Sequence, residues 1–431
     1  MAVASGPGLP GSQISLLAHA QRLHAEHPDS PLPADGYPFP DDPQHCRQPR
    51  PRPPKPYSRA GADAAAVLDE HFTRADAGPA DLEHAFHDVY VPIHWNEHIA
   101  AAAWRAGEQR VRETGRWLVT HSRDRCSATI GLALLAAGLA EDDIALIRTL
   151  GLLSDRFGPL AARALVRRRA TDALLWLADR VAGWGRVYVV EALCDFDPYT
   201  SRSWLLRRAC DGDFLNGYFA GKVATAAHLH EAITSDTADD GLIDHAGRLL
   251  RAMTDCAGMG MTLAAYPPAR AVIAAHASHL GRQQPTFSRW TTAAILAGHL
   301  TGPGNVGFSE AERQGLGDAY ASVLNRADWT AVAQADMKKG DDHSGWIRHA
   351  TRSIRLNAFT EPPDDELARD LAERADDAKL TSLTIPRRST CSVSLDTQMR
   401  YTLHRTRTAG LRAFSNERGV ADRPWREPAR D

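Results

Sequence analysis

Lysine is almost missing from this chain: five residues stand against 45 arginines in a total of 431. The imbalance points to a GC-rich coding sequence of actinobacterial type. Long apolar runs are missing too. No stretch of about 18 apolar residues occurs, which argues against a membrane-spanning helix. Met1–Gln21 lacks the basic start and apolar centre of a secretory leader. The six cysteines (Cys46, Cys126, Cys194, Cys210, Cys256 and Cys391) form no CxxC pair, so neither a zinc ribbon nor a disulfide framework is expected. Most fall in apolar helical stretches, as buried free thiols do, and a reducing cytoplasm fits. There is no GxxxxGK(S/T), no GxGxxG between strand and helix, no GxSxG and no EF-hand loop, so no cofactor is implied. Gly302–Gly307 is glycine-rich, but it joins an apolar helix to a helix start at Ser309–Glu312 and reads as an interhelix loop.

What is present is helix. Apolar residues make 43% and charged ones 24%, ordinary globular usage. From about Gly61 to Phe359 apolar positions recur at i, i+3, i+4 and i+7, and alternating strand patterns are scarce. Breaks at Phe157-Gly158-Pro159, Gly183-Trp184-Gly185, Asp197-Pro198 and Asp211-Gly212-Asp213 divide this region into short helices, each too short to be stable alone. These helices nearly repeat. Small-plus-leucine pairs stand at Ala133-Leu134, Ala164-Leu165 and Ala192-Leu193, with the related Val223-Ala224 next, at intervals of 28 to 31 residues. In phase with them, first helices are predicted from Asp143, Asp172 and Arg202. Phe157, Trp184 and Phe214 open the second helices. A period near 30 built from two helices is what a stacked α-solenoid requires, because no single pair buries its apolar face.

On these residues the stretch 126–233 resembles the short bacterial HEAT-like repeats, the type also found in phycobilin-lyase-like proteins. The resemblance implies an all-α fold, a right-handed α-solenoid of HEAT-like or armadillo-like helix pairs over residues 61–360. Within that span atypical or capping repeats flank 126–233, over Gly61–Arg125 and Ser235–Phe359, with an armadillo-like finish near Asp328–Val332 and Ser344–Leu356. It implies architecture and no activity.

The ends read differently. A helix is predicted over Ser15–His27. After it, eleven of the 26 prolines fall between Pro28 and Pro56, which predicts an extended linker, so residues 1–60 are a helix and a proline-rich spacer. Pro51 to Pro56 also matches an SH3-type ligand. Residues 361–380 are an acidic helix or linker, and 381–431 a basic disordered tail. The net charge of −3 conceals this split. Glu361–Lys379 carries eight acids and three bases, and Arg387–Asp431 ten arginines and five acids. Residues 57–360 keep −3, which favours a protein partner for the repeats and leaves nucleic acid to the tail at 387–431.

Two constellations carry candidate chemistry. His94-Trp95-Asn96-Glu97-His98 matches HxxEH, the zinc signature of inverted zincins. It needs His94 and His98 on one helix face, with Glu97 beside them and Glu191 as a distant third ligand. The competing reading is a helix N-terminal turn after Pro92. The second constellation places Arg163, Trp184, Arg186, Tyr188, Glu191, Asn216, Tyr218 and Lys222 on the second helices, which face the concave side in HEAT-like stacks. Inter-repeat packing with arginines reaching solvent competes with it. HEAT-like DNA glycosylases share the repeat type, and Trp176 with Asp172 or Asp179 offers a formal parallel to their aromatic cleft and carboxylate. The expected function is a non-catalytic scaffold for protein–protein interaction. DNA binding or base repair, and a metal site at His94/His98, are the alternatives.

Overall fold

The helices begin where a short polar side chain can reach the free N–H groups of a first turn. Ser15, Asn96, Asp124, Asp239, Thr286 and Ser309 all hold extended backbone and accept from an N–H two or three residues on. At Ser309 the exchange is mutual, because Glu312 accepts from the Ser309 N–H at 2.9 Å.

A computed structural model describes residues 14–45, 53–54, 56–256, 258–302 and 307–337, all within the first of two compact units, Met1–Pro362. The expected acidic segment, the basic tail and Ser344–Leu356 lie outside the described residues. The helices are α1 (Leu16–Glu26), α2 (Asp42–His45), α3 (Ala62–Thr73), α4 (Glu97–Arg105), α5 (Glu108–His121) and α6 (Arg125–Ala137). Then come α7 (Ile144–Leu150), α8 (Ser154–Arg167), α9 (Thr171–Ala178), α10 (Gly183–Phe196), α11 (Arg202–Arg208) and α12 (Ala220–Ala226). The last are α13 (Leu229–Ile233), α14 (Asp240–Thr254), α15 (Ala269–Leu280), α16 (Phe287–Thr301), α17 (Glu310–Leu324) and α18 (Ala327–Met337). No strand occurs among the described residues, which are all-α.

The helices pack in alternation. α6, α8, α10, α12, α14 and α16 each pack on the next in that row, while α7 touches α5 and α9. Across the rows α5 packs on α6, α7 on α8, α9 on α10, α11 on α12 and α13 on α14. Phe214 opens a 3-10 turn, Phe214–Tyr218, where an α-helix start was predicted; Asp213 accepts the Leu215 N–H there at 2.8 Å. Phe157, Leu160 and Leu165 of α8 and Val189, Val190 and Leu193 of α10 are fully buried. At about 1.5–3 kcal/mol for each such side chain, this burial holds together helices that would melt alone.

Helix ends in the interior need partners for their last carbonyls, and buried arginines supply them. Arg168 donates to the carbonyls of Leu135, Ala140 and Ala164. Arg186 does the same for Ala178, Val181, Arg208 and Ala209.

The N-terminal segment departs from expectation. α1 forms as predicted, with Ser15 and His27 as its caps, but the described residues 28–45 are not a spacer. Leu32, Phe39 and Asp41 are buried, α1 packs on α5 and α7, and Arg180 donates to the Pro28 carbonyl at 2.7 Å. The prolines fix turns, and the apolar and acidic residues between them dock the segment on α6 and α8. Asp41 takes the Arg125 backbone N–H at 2.9 Å and its Nη2 at 2.6 Å, and Asp42 takes a further hydrogen bond from Nη2. The Arg125 guanidinium also lies over the Phe39 ring, 4.8 Å from its centroid. Burial opposes the charge on Arg125, but the two aspartates outweigh it and hold the guanidinium protonated.

Candidate functional site

Leu153 precedes the first residue of α8 and has no side chain that could cap it. The cap comes instead from 120 residues upstream. Asp35 accepts from the Ser154 N–H at 3.2 Å, from the Ser154 hydroxyl at 2.6 Å and from the Asp155 N–H. Reaching that position requires three consecutive left-handed residues, Ala34, Asp35 and Gly36, at φ 48°, 55° and 81°. For the two that carry a Cβ this costs about 1–2 kcal/mol each. Gly36 has a second reason to be glycine, since a Cβ there would overlap Leu153. His19 Nε2–H donates to the Gly36 carbonyl at 2.8 Å and holds the turn in place.

The cap delivers its neighbours to one place. The Tyr37 hydroxyl faces the Asp155 carboxylate and favours its charged form. Arg156, the next residue, donates Nε to Thr129 Oγ1 at 3.2 Å and points Nη2 at Cys126 Sγ, 3.8 Å away. Pro159 has no N–H to give the Asp155 carbonyl, so the first turn of α8 keeps an acceptor that an ordinary helix would consume. α10 approaches closely because Gly185 faces Ser154, where a Cβ would collide with the hydroxyl. That approach sets Tyr188 beside the acids. Its ring meets His94 edge-on at 5.4 Å and stacks with Trp184 at 6.0 Å; Trp184 in turn meets Tyr218 at 4.9 Å.

The electrostatics are those of acids short of solvent. Burial raises Asp35 to about 7 against its three hydrogen bonds. Burial also raises Asp155, against Arg156 and the Tyr37 hydroxyl, and Glu191, against Lys222. Tyr37 is pushed up to about 12 by burial and by Asp155. Tyr188 rises for the same two reasons, with Glu191 adding to them. Carboxyl groups poorly served by water beside half-exposed aromatic faces form a surface suited to a guanidinium or ammonium group.

No family model matches this chain, and no curated protein and no solved structure matches it.

The residues singled out from the sequence separate into groups. Trp184, Tyr188, Glu191, Tyr218 and Lys222 do come together on α10, the 3-10 turn and α12. Lys222 Nζ pairs with Asp195 at 2.6 Å. Arg163 lies elsewhere, its guanidinium 5.3 Å from the Trp95 ring centroid. Arg186 and Asn216 do not belong to a surface. Arg186 is the buried carbonyl clamp already described, and buried Asn216 accepts from the Asp211 and Gly212 N–H groups to close its own loop.

The HxxEH pairing also fails. α4 starts at Glu97 with Asn96 as its cap, so His94 precedes the helix and the i, i+4 face does not exist. His98 Nε2 bonds to the Ser58 carbonyl at 2.8 Å, and Glu97 accepts from Trp95 Nε1. Among the described residues, the His, Asp and Cys side chains that do approach ligating distance are His45, Asp124 and Cys126. Trp176 is held between Arg148 and Arg180, each 4.6 Å from its centroid, while Asp179 accepts from Trp204 Nε1 at 2.6 Å. That pair is packing, not a cleft.

Sequence reasoning missed Asp35, Tyr37, Asp155 and Arg156. One signal for them was present: Asp35-Gly36 is a dipeptide that tolerates left-handed backbone.

Proposed function

We propose that the chain is a right-handed α-solenoid of HEAT-like and armadillo-like helix pairs, cytoplasmic, and acts as a non-catalytic scaffold that binds a protein partner. The binding face is the one formed by α8, α10 and α12. The solenoid reading is supported by the row α6, α8, α10, α12, α14 and α16, each packed on the next, and by α5, α7, α9, α11 and α13 packed across it. One observation carries the binding reading: Trp184, Tyr188 and Tyr218 run in continuous ring contact, half-buried, with the Asp155 and Glu191 carboxyls beside them.

The partner that fits is an extended segment bearing arginine or lysine. Each cation set on an aromatic face contributes about 0.5–1 kcal/mol, or about 2 once desolvated. The same carboxylates repel phosphate, which disfavours nucleic acid on this face.

Fluorescence anisotropy with an arginine-rich peptide, a glutamate-rich peptide and duplex DNA tests the reading. Binding of the arginine peptide, weakened at least tenfold by Trp184→Ala or Tyr188→Ala and retained after deletion of residues 387–431, is the expected result. DNA binding that falls steeply with salt and survives the same deletion would replace this reading with a nucleic-acid one. Excision of alkylated bases that depends on Asp155 would make the protein an enzyme.

A further inference from the structure

The repeats leave one cluster of metal-ligating side chains unexplained. A ring nitrogen of His45, a carboxylate oxygen of Asp124 and the Cys126 sulfur all lie within 4.8 Å of one another, each on a half-buried side chain. In a tetrahedral zinc site such atoms stand about 3.3–3.6 Å apart, given bond lengths near 2.0–2.3 Å. Closing the cluster on an ion therefore takes side-chain movements of about 1 Å. We propose that His45, Asp124 and Cys126 form a site for one divalent transition-metal ion of the zinc class.

The placement of these residues is not a matter of surface chance. His45 ends α2, while Asp124 caps α6 and Cys126 lies in its first turn. The two segments are bolted together at the residue between the ligands: Arg125 is the buried partner of Asp41 and Asp42, and Asp42 opens the same short helix that His45 closes. A ligand set straddling a buried ion pair is held in register before any ion arrives, as a preorganised site requires. Asp124 is oriented as well. One of its oxygens accepts the Ser127 N–H at 2.9 Å, which leaves the other for an ion.

The donor types choose the metal. One nitrogen, one oxygen and one sulfur suit zinc or cobalt, whereas magnesium and calcium require oxygen shells. Binding displaces the Cys126 thiol proton to solvent as the metal–thiolate bond forms. Three protein ligands leave a fourth position for water or a solute.

The test uses the full-length chain stripped of metal by chelator and titrated with cobalt(II). One equivalent, with a thiolate-to-cobalt charge-transfer band that zinc abolishes, is the expected result. Cys126→Ser should remove the band, and His45→Ala and Asp124→Asn should each weaken binding at least tenfold. Asparagine caps a helix as well as aspartate does, so Asp124→Asn keeps the fold, as circular dichroism will show, while removing the ligand. His94→Ala/His98→Ala should bind cobalt as the parent does. Absence of stoichiometric binding, a band that persists in Cys126→Ser, or loss of binding in the His94/His98 variant would each overturn the assignment.

Discussion

The docking of the N-terminal segment makes a sharp prediction at Asp41. Arg125 is 3% exposed and Asp41 7%, so neither charge can turn to water if the other is removed. The Asp41 carboxylate takes the Arg125 backbone N–H at 2.9 Å, Nε at 2.9 and 3.0 Å through its two oxygens, and Nη2 at 2.6 Å. Asp41→Asn keeps the shape, removes the charge and turns an amide donor toward donors. Breaking a buried pair from one side costs about 3–5 kcal/mol. Asp42 still offers a carboxylate to Nη2, which places the expected loss near 3 kcal/mol. With m of about 3 kcal/mol/M in urea, the unfolding midpoint should fall by about 1 M at unchanged m.

The cost belongs to the orphaned guanidinium and not to the attraction itself, and this can be separated. Arg125→Met with Asp41→Leu removes both charges and should return the protein to within about 1 kcal/mol of the parent, because apolar replacements of a buried pair are often neutral or better. A midpoint shift under about 0.3 M for Asp41→Asn would refute the argument. So would a double variant that loses as much as the two single ones together.

Two further consequences can be measured directly. His245 accepts the Cys210 N–H at 2.9 Å and His276 lies 2.8 Å from the Tyr320 hydroxyl; burial holds both neutral down to about 3. The unfolded chain takes up those protons from about pH 6.5, so their contribution is complete above that pH and is lost as pH falls toward 3, at about 1.4 kcal/mol per unit for each histidine. Asp35, raised to about 7, acts in the opposite sense between pH 7 and 4. His276→Gln should therefore remove about 1.4 kcal/mol per unit from the slope of stability against pH between 6.5 and 5; equal slopes in parent and variant would exclude the assignment. Gly185→Ala, which drives a Cβ into Ser154, should cost about 1–3 kcal/mol and lower the thermal midpoint by several degrees, and Ser154→Gly should recover part of it. An unchanged midpoint would mean that α8 and α10 are free to move apart.

How much of this was legible in the sequence follows from which features are local. The helix starts at Ser15 and Ser309 and the alternation of short helices between residues 143 and 226 could be read, because apolar periodicity and caps are local. Trp184, Tyr188 and Glu191 share α10, and Tyr218 and Lys222 follow on the 3-10 turn and α12, so local spacing was enough to place them together. Arg186 and Asn216 shared that register yet turned inward, since the period says which helix a residue is on and not whether an interior carbonyl needs it. The helix N-terminal turn after Pro92, the competing reading of HxxEH, was legible too: Asn96 inside the motif is a better helix cap than a helix interior residue, and a cap at 96 excludes His94 from the helix.

The larger part of the site was illegible for a different reason. Asp35 reaches Ser154 across 119 residues and Asp41 reaches Arg125 across 84, and both lie in a proline-rich stretch whose composition predicts no packing. Yet the helices alone leave α8 without a cap at the point where Asp155, Arg156 and Tyr188 converge. On the proposed solenoid reading, one distinct face needs something non-periodic to mark it, because equivalent helices offer equivalent surfaces. Here the mark is the strained turn at Ala34–Gly36. It bears on a single helix start, and its left-handed residues are sustained only by what they hold: the Asp35 cap, the Tyr37 hydroxyl on Asp155 and the His19 clasp. Three consecutive left-handed residues, beside the Asp155 carboxyl that burial raises, are the physical reason to place the proposed recognition at the start of α8.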